Sequence, residues 1–234
     1  YYMNPHITTI HFDATSFSAD DSLIQLLQAK AYYHELSPNN VHAAMFNNTF
    51  FHGGDSSDTS QPQQPHLTNK LLLMLSLAVK QARPQAFYCT LENNHQNPML
   101  SDVFHEYPMY PFMLSLGQEY ERWCHTHTLV SDQYYAHIIG MWMLQRCVEK
   151  IAQVCHVTTY CAVYPGSSKE VPLQVNRTLF SVFSNQAQRC GITINEHCMF
   201  SPLHTVSGVI LPHSGTNPCQ QCMLHQCQFR NILT

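Results

Sequence analysis

The stretch from Ser131 to about Cys155 constrains this fold more than any other. Ile138, Met141, Val148 and Ala152 form one apolar stripe at helical spacing, and Leu144, Cys147, Ile151 and Val154 form another. A helix apolar over so much of its circumference must be surrounded by other elements, so it is predicted to run through the centre of a domain. Gln145 falls within the first stripe. It is either a satisfied polar residue at the helix border or a residue that faces a site.

Around this helix the chain alternates between short apolar runs and turn signals. Ser18 caps a predicted helix carrying Leu23, Ile24, Leu27 and Ala31, with Asp20 and Asp21 at its positive end. It stops before Ser37-Pro38-Asn39-Asn40. Residues Gly53 to Asn69 are Ser-, Asp-, Gln-, Gly- and Pro-rich, and are expected to form a mobile loop or linker. Lys70 to Ala82 reads as a helix closed by Arg83-Pro84, Ala86 to Leu91 as a strand, and Glu92 to Pro111 as irregular. Phe112 to His125 is predicted helical, Val157 to Val163 a strand, and Tyr164 to Ser168 a loop. Leu173 to Arg189 is predicted to be one helix, with Val175, Leu179, Val182 and Phe183 on its apolar face and Gly191 at its C-terminal cap. Ile192-Thr193-Ile194, a turn at Ser201-Pro202 and a strand from Thr205 to Leu211 follow. There is no regular strand-helix-strand rhythm and no G-x-G-x-x-G or P-loop motif, so the expected class is α+β, with a mixed or antiparallel sheet flanked by helices. The expected organisation is an N-terminal helical and irregular region over 1–110, a core over 111–215 and a cysteine-rich tail over 216–234.

Charged residues make up 11% of the chain and the formal net charge is -4, with no basic stripe to neutralise phosphates, so a nucleic-acid partner is not expected. The longest apolar run, Leu71 to Val79, is far too short to span a bilayer, and no signal-peptide pattern opens the sequence. No membrane partner is expected, and the expected location is the cytoplasm. There, cysteines are free thiols or metal ligands rather than disulfides. Cys89, Cys124, Cys147, Cys155, Cys161, Cys190 and Cys198 are dispersed and read as structural thiols. Cys219, Cys222 and Cys227 instead form C-x2-C-x4-C, a spacing that lets three thiolates converge on one metal. Zinc would draw a fourth ligand from His225, His213, Cys190 or Cys198; an iron–sulfur cluster could leave that position open. Three reduced thiols or a C-x2-C redox pair are the alternatives.

Three stretches in order carry a family resemblance. They are Leu116-Gly117-Gln118-Glu119 followed by Ala136-His137-Ile138-Ile139-Gly140, then Tyr164-Pro165-Gly166 before Pro172-Leu173, and then the run from Gly191 to Gly208, which contains Met199, Pro202 and Thr205-Val206-Ser207-Gly208. With the terminal cysteines and Phe229-Arg230, the half of the chain from about Pro111 to Arg230 resembles the activation domain of cobalamin-dependent methionine synthase and its free-standing bacterial relatives. The resemblance implies a helmet-like α+β domain that holds S-adenosylmethionine over a corrinoid, where reduction and methyl transfer to cobalt restore inactive cobalamin. Such chemistry rests mainly on positioning.

The family's ligand loop reads R-x-[AS]-P-G-Y. Here Pro165 and Gly166 match, while the Arg position falls on Ala162, the small residue on Tyr164 and the Tyr on Ser167. Lys169 can restore a charge but not the bidentate fork of a guanidinium. A Glu that many relatives carry on the long helix falls on Gln145. The residues implied to hold cofactor are therefore Gln145, Ala162, Tyr164, Pro165, Gly166 and Lys169. The leading reading is reactivation in trans of a corrinoid-binding protein, or of a methionine synthase lacking its activation domain, because the chain is too short for the catalytic barrels. The alternatives are a non-enzymatic relative that binds metal or a partner through its C-terminal cysteines, and an S-adenosylmethionine methyltransferase acting on another acceptor.

Overall fold

The computed structural model describes residues 5–12, 17, 65–93 and 95–212. The expected helix of Ser18 to Ala31, the turn at Ser37, most of the Gly53–Asn69 linker and the cysteine tail lie outside the described residues.

At the centre is the run Tyr110-Pro111-Phe112-Met113-Leu114-Ser115. It forms strand β3 (Tyr110–Ser115), with every residue from Pro111 onward buried. Its side chains alternate between two cores, Phe112 and Leu114 entering one and Met113 the other. Strand β7 (Thr205–Pro212) does the same, with Ile210 on the first side and Val209 and Leu211 on the second. With β1 (Thr8–His11), β2 (Gln85–Tyr88) and β4 (Tyr160–Val163), these build a five-stranded antiparallel sheet of order β1-β2-β3-β7-β4. The fold is α+β, as expected, with helices on both faces of the sheet.

Helix α1 (Pro65–Gln81) and the 25-residue α4 (Val130–Val154) cover the first face. Ile138, Leu144, Cys147, Val148, Ile151 and Ala152 of α4 are all buried, as its stripes require. α4 ends with His156 at φ 57°, where Val157 N donates to Ala152 O at 2.9 Å and His156 N to Gln153 O at 3.0 Å. This is the paired bonding that closes a helix through a left-handed residue. The short α2 (Pro98–Ser101) and α3 (Gln118–His125) flank β3 in sequence. α5 (Val175–Val182) and α6 (Ser184–Arg189) cover the second face, and a small hairpin joins β5 (Thr193–Ile194) to β6 (Phe200–Ser201). No helix among the described residues is long and apolar enough to cross a membrane.

Five local expectations change. Phe112 to Ser115 is a strand rather than the start of a helix, and the helix begins only at Gln118. A strand buried on both faces shows no alternation, so its apolar run cannot be told from a buried helix by periodicity. The segment 92–111, expected to be irregular, carries α2 and is closed by a Leu91–Met109 bridge. The helix expected from Lys70 begins at Pro65, and the strand expected from Val157 begins at Tyr160. The single helix expected from Leu173 to Arg189 is two, jointed at Phe183. Bonds from Phe183 N to Leu179 O and from Ala187 N to Phe183 O continue across the joint, and the fully buried Phe183 ring anchors it. The cap at Gly191 follows the expectation. Gly191 takes φ 69°, with Ile192 N on Ala187 O and Gly191 N on Gln188 O.

Candidate functional site

The loop that leaves β4 is built by backbone geometry. Ser167 N donates to Tyr164 O at 3.0 Å, and Gly166, at φ 85°, donates its N–H to Val171 O at 2.7 Å. A turn of that hand suits a glycine, which carries no Cβ. Val171 is buried in the second core and fixes the far end of the loop; Ser168 Oγ receives Val171 N at 3.3 Å. The half-buried Tyr164 ring stands edge-on to Phe112, with centroids 6.0 Å apart. Ala162 sits within β4, paired with Ile210 and packed on the first core, while Lys169 is exposed at the loop tip.

Gln145 lies half-buried on α4. Its neighbours Arg146 and Glu149 pair at 2.7 Å and both act on Tyr160 at the start of β4, so this turn of α4 runs beside that strand. Burial first, then Glu149, pushes the Tyr160 phenol up to about 12, with Arg146 opposing. At the loop, the exposed Glu170 carboxyl is held below its ordinary value by its own backbone N–H, then by Ser168 and Lys169.

A buried polar bridge ties α5 to the strand beside the loop. Asn176 Nδ2 donates to Cys198 O at 3.0 Å, and its Oδ1 receives Ser207 Oγ at 2.7 Å. Cys198 takes φ 63° in a turn organised by Asn195, whose Oδ1 accepts from His197 N and Met199 N. Thus α5, the turn at Cys198 and strand β7 meet through one side chain. Asn176→Ala would leave Ser207 and the Cys198 carbonyl without that partner in a dry interior, so it is expected to cost about 2 kcal/mol. A lowered urea midpoint would show this, and an unchanged midpoint would remove the bridge from the account. Asn176 matches a glycosylation pattern in sequence, but at 7% exposure it is buried here.

A second pairing was not legible as such. His137 Nδ1 and His204 Nε2 are 3.2 Å apart, the His204 ring stands edge-on to Tyr120, and Tyr120 OH donates to Ala136 O at 2.8 Å. A Cβ on Gly140 would lie 2.4 Å from His204 Cδ2. The signal in the sequence was a histidine three residues before a glycine within the apolar stretch Ala136–Leu144 of that helix.

The seven described cysteines form no disulfide among themselves. Burial pushes Cys89 and Cys124 up to about 12, Cys155 to about 11, and Cys147 and Cys190 upward as well. These five are thiols at neutral pH and poor nucleophiles or metal ligands as they stand. No group of three or more His, Cys, Asp or Glu among the described residues could hold a metal ion. Cys219, Cys222 and Cys227, with His213 and His225, lie outside those residues.

In sequence, the chain matches no protein-family model and no curated protein. In structure it is similar to the MetH reactivation domain bound to AdoHcy, with a TM-score of 0.54 at 9% identity, covering 92% of this chain and 80% of that one. At that identity the likeness establishes a shared fold.

Proposed function

We propose that this chain acts as an activation-domain-like protein, assisting in trans the reductive methylation that returns a corrinoid protein to service, with S-adenosylmethionine held at the Tyr164–Lys169 loop. The observation that carries the reading is the likeness of fold to a MetH reactivation domain over nearly the whole chain. In this reading Tyr164, Pro165 and Gly166 shape the seat, Ala162 and Gln145 line it, and Lys169 supplies the cation for the ligand carboxylate. The reversed turn at Gly166 and the half-buried Tyr164 ring suit a nucleoside. A bidentate fork is missing, because Ala162 stands at the position where the family has Arg, so the carboxylate would be held by a point charge. When bound, the cofactor would supply the methyl group; the chain would contribute position and exclusion of water.

Calorimetry with S-adenosylmethionine tests this. Wild type is expected to bind, and Tyr164→Ala to weaken binding by about tenfold through the loss of aromatic contact. Absence of heat with wild type, or equal affinity in both, would remove this loop as the seat.

The Ala162 substitution also favours a second reading: a relative that keeps the fold but binds zinc, an iron–sulfur cluster or a partner through Cys219, Cys222 and Cys227. Metal analysis and a visible spectrum of anaerobically prepared protein decide it, since a metal-free, colourless chain would leave the cysteines as thiols.

A further inference from the structure

We propose that the His137–His204 contact is an acid-sensitive latch, which holds the corner between β6 and β7 on α4 and releases it when the rings take up protons. The inference does not rest on the ligand reading. His204 is 3% exposed, and its backbone carbonyl receives Leu116 N at 3.0 Å, so the residue joins the corner to the end of β3. Its Nε2 faces His137 Nδ1, and its Nδ1 is buried with no partner among the described residues. In either tautomer of the neutral pair one ring donates to the other, and the His204 Nδ1 stays unsatisfied. A first proton on half-buried His137 keeps the bond but places a charge in an apolar seat. A second, on His204, leaves donor facing donor and aims a charged N–H at nothing. Burial and the facing ring already hold His204 far below an ordinary imidazole, and burial lowers His137.

The surrounding groups do not offset this. From α3 come the Tyr120 ring, the Cys124 thiol beside it and Glu121, whose Oε1 accepts Leu203 N at 3.1 Å. Ser115 on β3 and Thr205 on β7 are neutral and bonded to each other at 2.8 Å. His137 is the group contributed by α4. Glu121 is the carboxylate in this set, and it is already engaged by the corner backbone. Opening moves both imidazoles into water, where they charge at an ordinary pKa of about 6.5.

Amide hydrogen exchange over residues 199–207 at pH 7.5 and 5.5, corrected for intrinsic exchange, tests the latch. One histidine titrating normally in the open form predicts roughly tenfold more opening at the lower pH, and two predict up to about a hundredfold. Residues 85–88 of the sheet are expected to stay unchanged. His204→Gln, which keeps a polar atom near Nε2 but cannot charge, is expected to cut the rise by about tenfold, leaving at most the share of His137. Equal opening at both pH values, or the same rise in His204→Gln, would overturn the proposal. If that variant does not fold, NMR titration of the wild-type imidazoles decides. A His204 ring that stays neutral while the corner loses protection supports the latch. One that titrates near 6.5 with the corner still protected overturns it.

Discussion

A Gly208→Ala chain is expected to lose about 3 kcal/mol of stability, at the upper end of the usual cost of overpacking a core. A Cβ there would lie 2.7 Å from the Val163 carbonyl oxygen and 2.9 Å from Phe112 Cζ. Neither neighbour can yield easily. Val163 belongs to the β4 backbone, held in register against Val209 of β7, and Phe112 is fully buried with Tyr164 on its edge. The sheet must either part at its β4 edge or turn the Phe112 ring, and both shifts displace Tyr164. Gly166→Ala is the informative control. Its Cβ would meet only the flexible tip of Leu173 at 3.4 Å, so its cost is the left-handed backbone alone, about 1 kcal/mol. Urea unfolding of both variants checks the ranking. Equal midpoints would mean that the close approach of β7 to β4 is not what holds the loop's foundation.

The second large effect is acid sensitivity beginning well above the carboxylate range. The folded His204 takes a proton only at about 3, against an ordinary imidazole near 6.5. The sign follows from which state binds the proton first. As pH falls below 6.5 the unfolded chain protonates and the folded one does not, so stability is complete above 6.5 and is lost progressively toward 3. Between pH 7 and 4 this amounts to about 3 kcal/mol. His137, lowered by burial, contributes in the same direction. The Glu170 carboxyl, held low by its own backbone N–H and Ser168, acts only at lower pH, so the interval from 6.5 to 5 isolates the histidines. Urea unfolding across that interval is expected to slope for wild type and to slope less steeply for His204→Gln, which keeps only the His137 share. A level wild-type profile there would contradict the burial argument.

The long central helix and the Gly191 cap were both readable from residue order, because each depends on local spacing. Val148 and Ile151 had to be buried once they shared a helix with so many apolar neighbours, and a glycine after Arg189-Cys190 suits the left-handed turn that closes α6. The β3 strand was not readable. Pro111 to Leu114 is apolar on both faces because a core lies on each side, and one-dimensional periodicity records burial, not which neighbour causes it. The candidate loop was visible as Tyr164-Pro165-Gly166. The residues that brace it were not, since Asn176 and Ser207 are 31 positions apart.

By itself the order of residues determined the α+β class, the central helix, a strand before the Tyr164-Pro165-Gly166 turn, and the thiol character of the dispersed cysteines. These follow from which side chains must leave water and which backbone angles each residue tolerates. The tertiary structure alone decided that β1 and β2 extend the sheet, that Gly208 lies against Val163 and Phe112, and that His137 meets His204 across 67 positions. Such contacts join segments distant in sequence, so they are selected by the packing of the whole chain and leave no local trace.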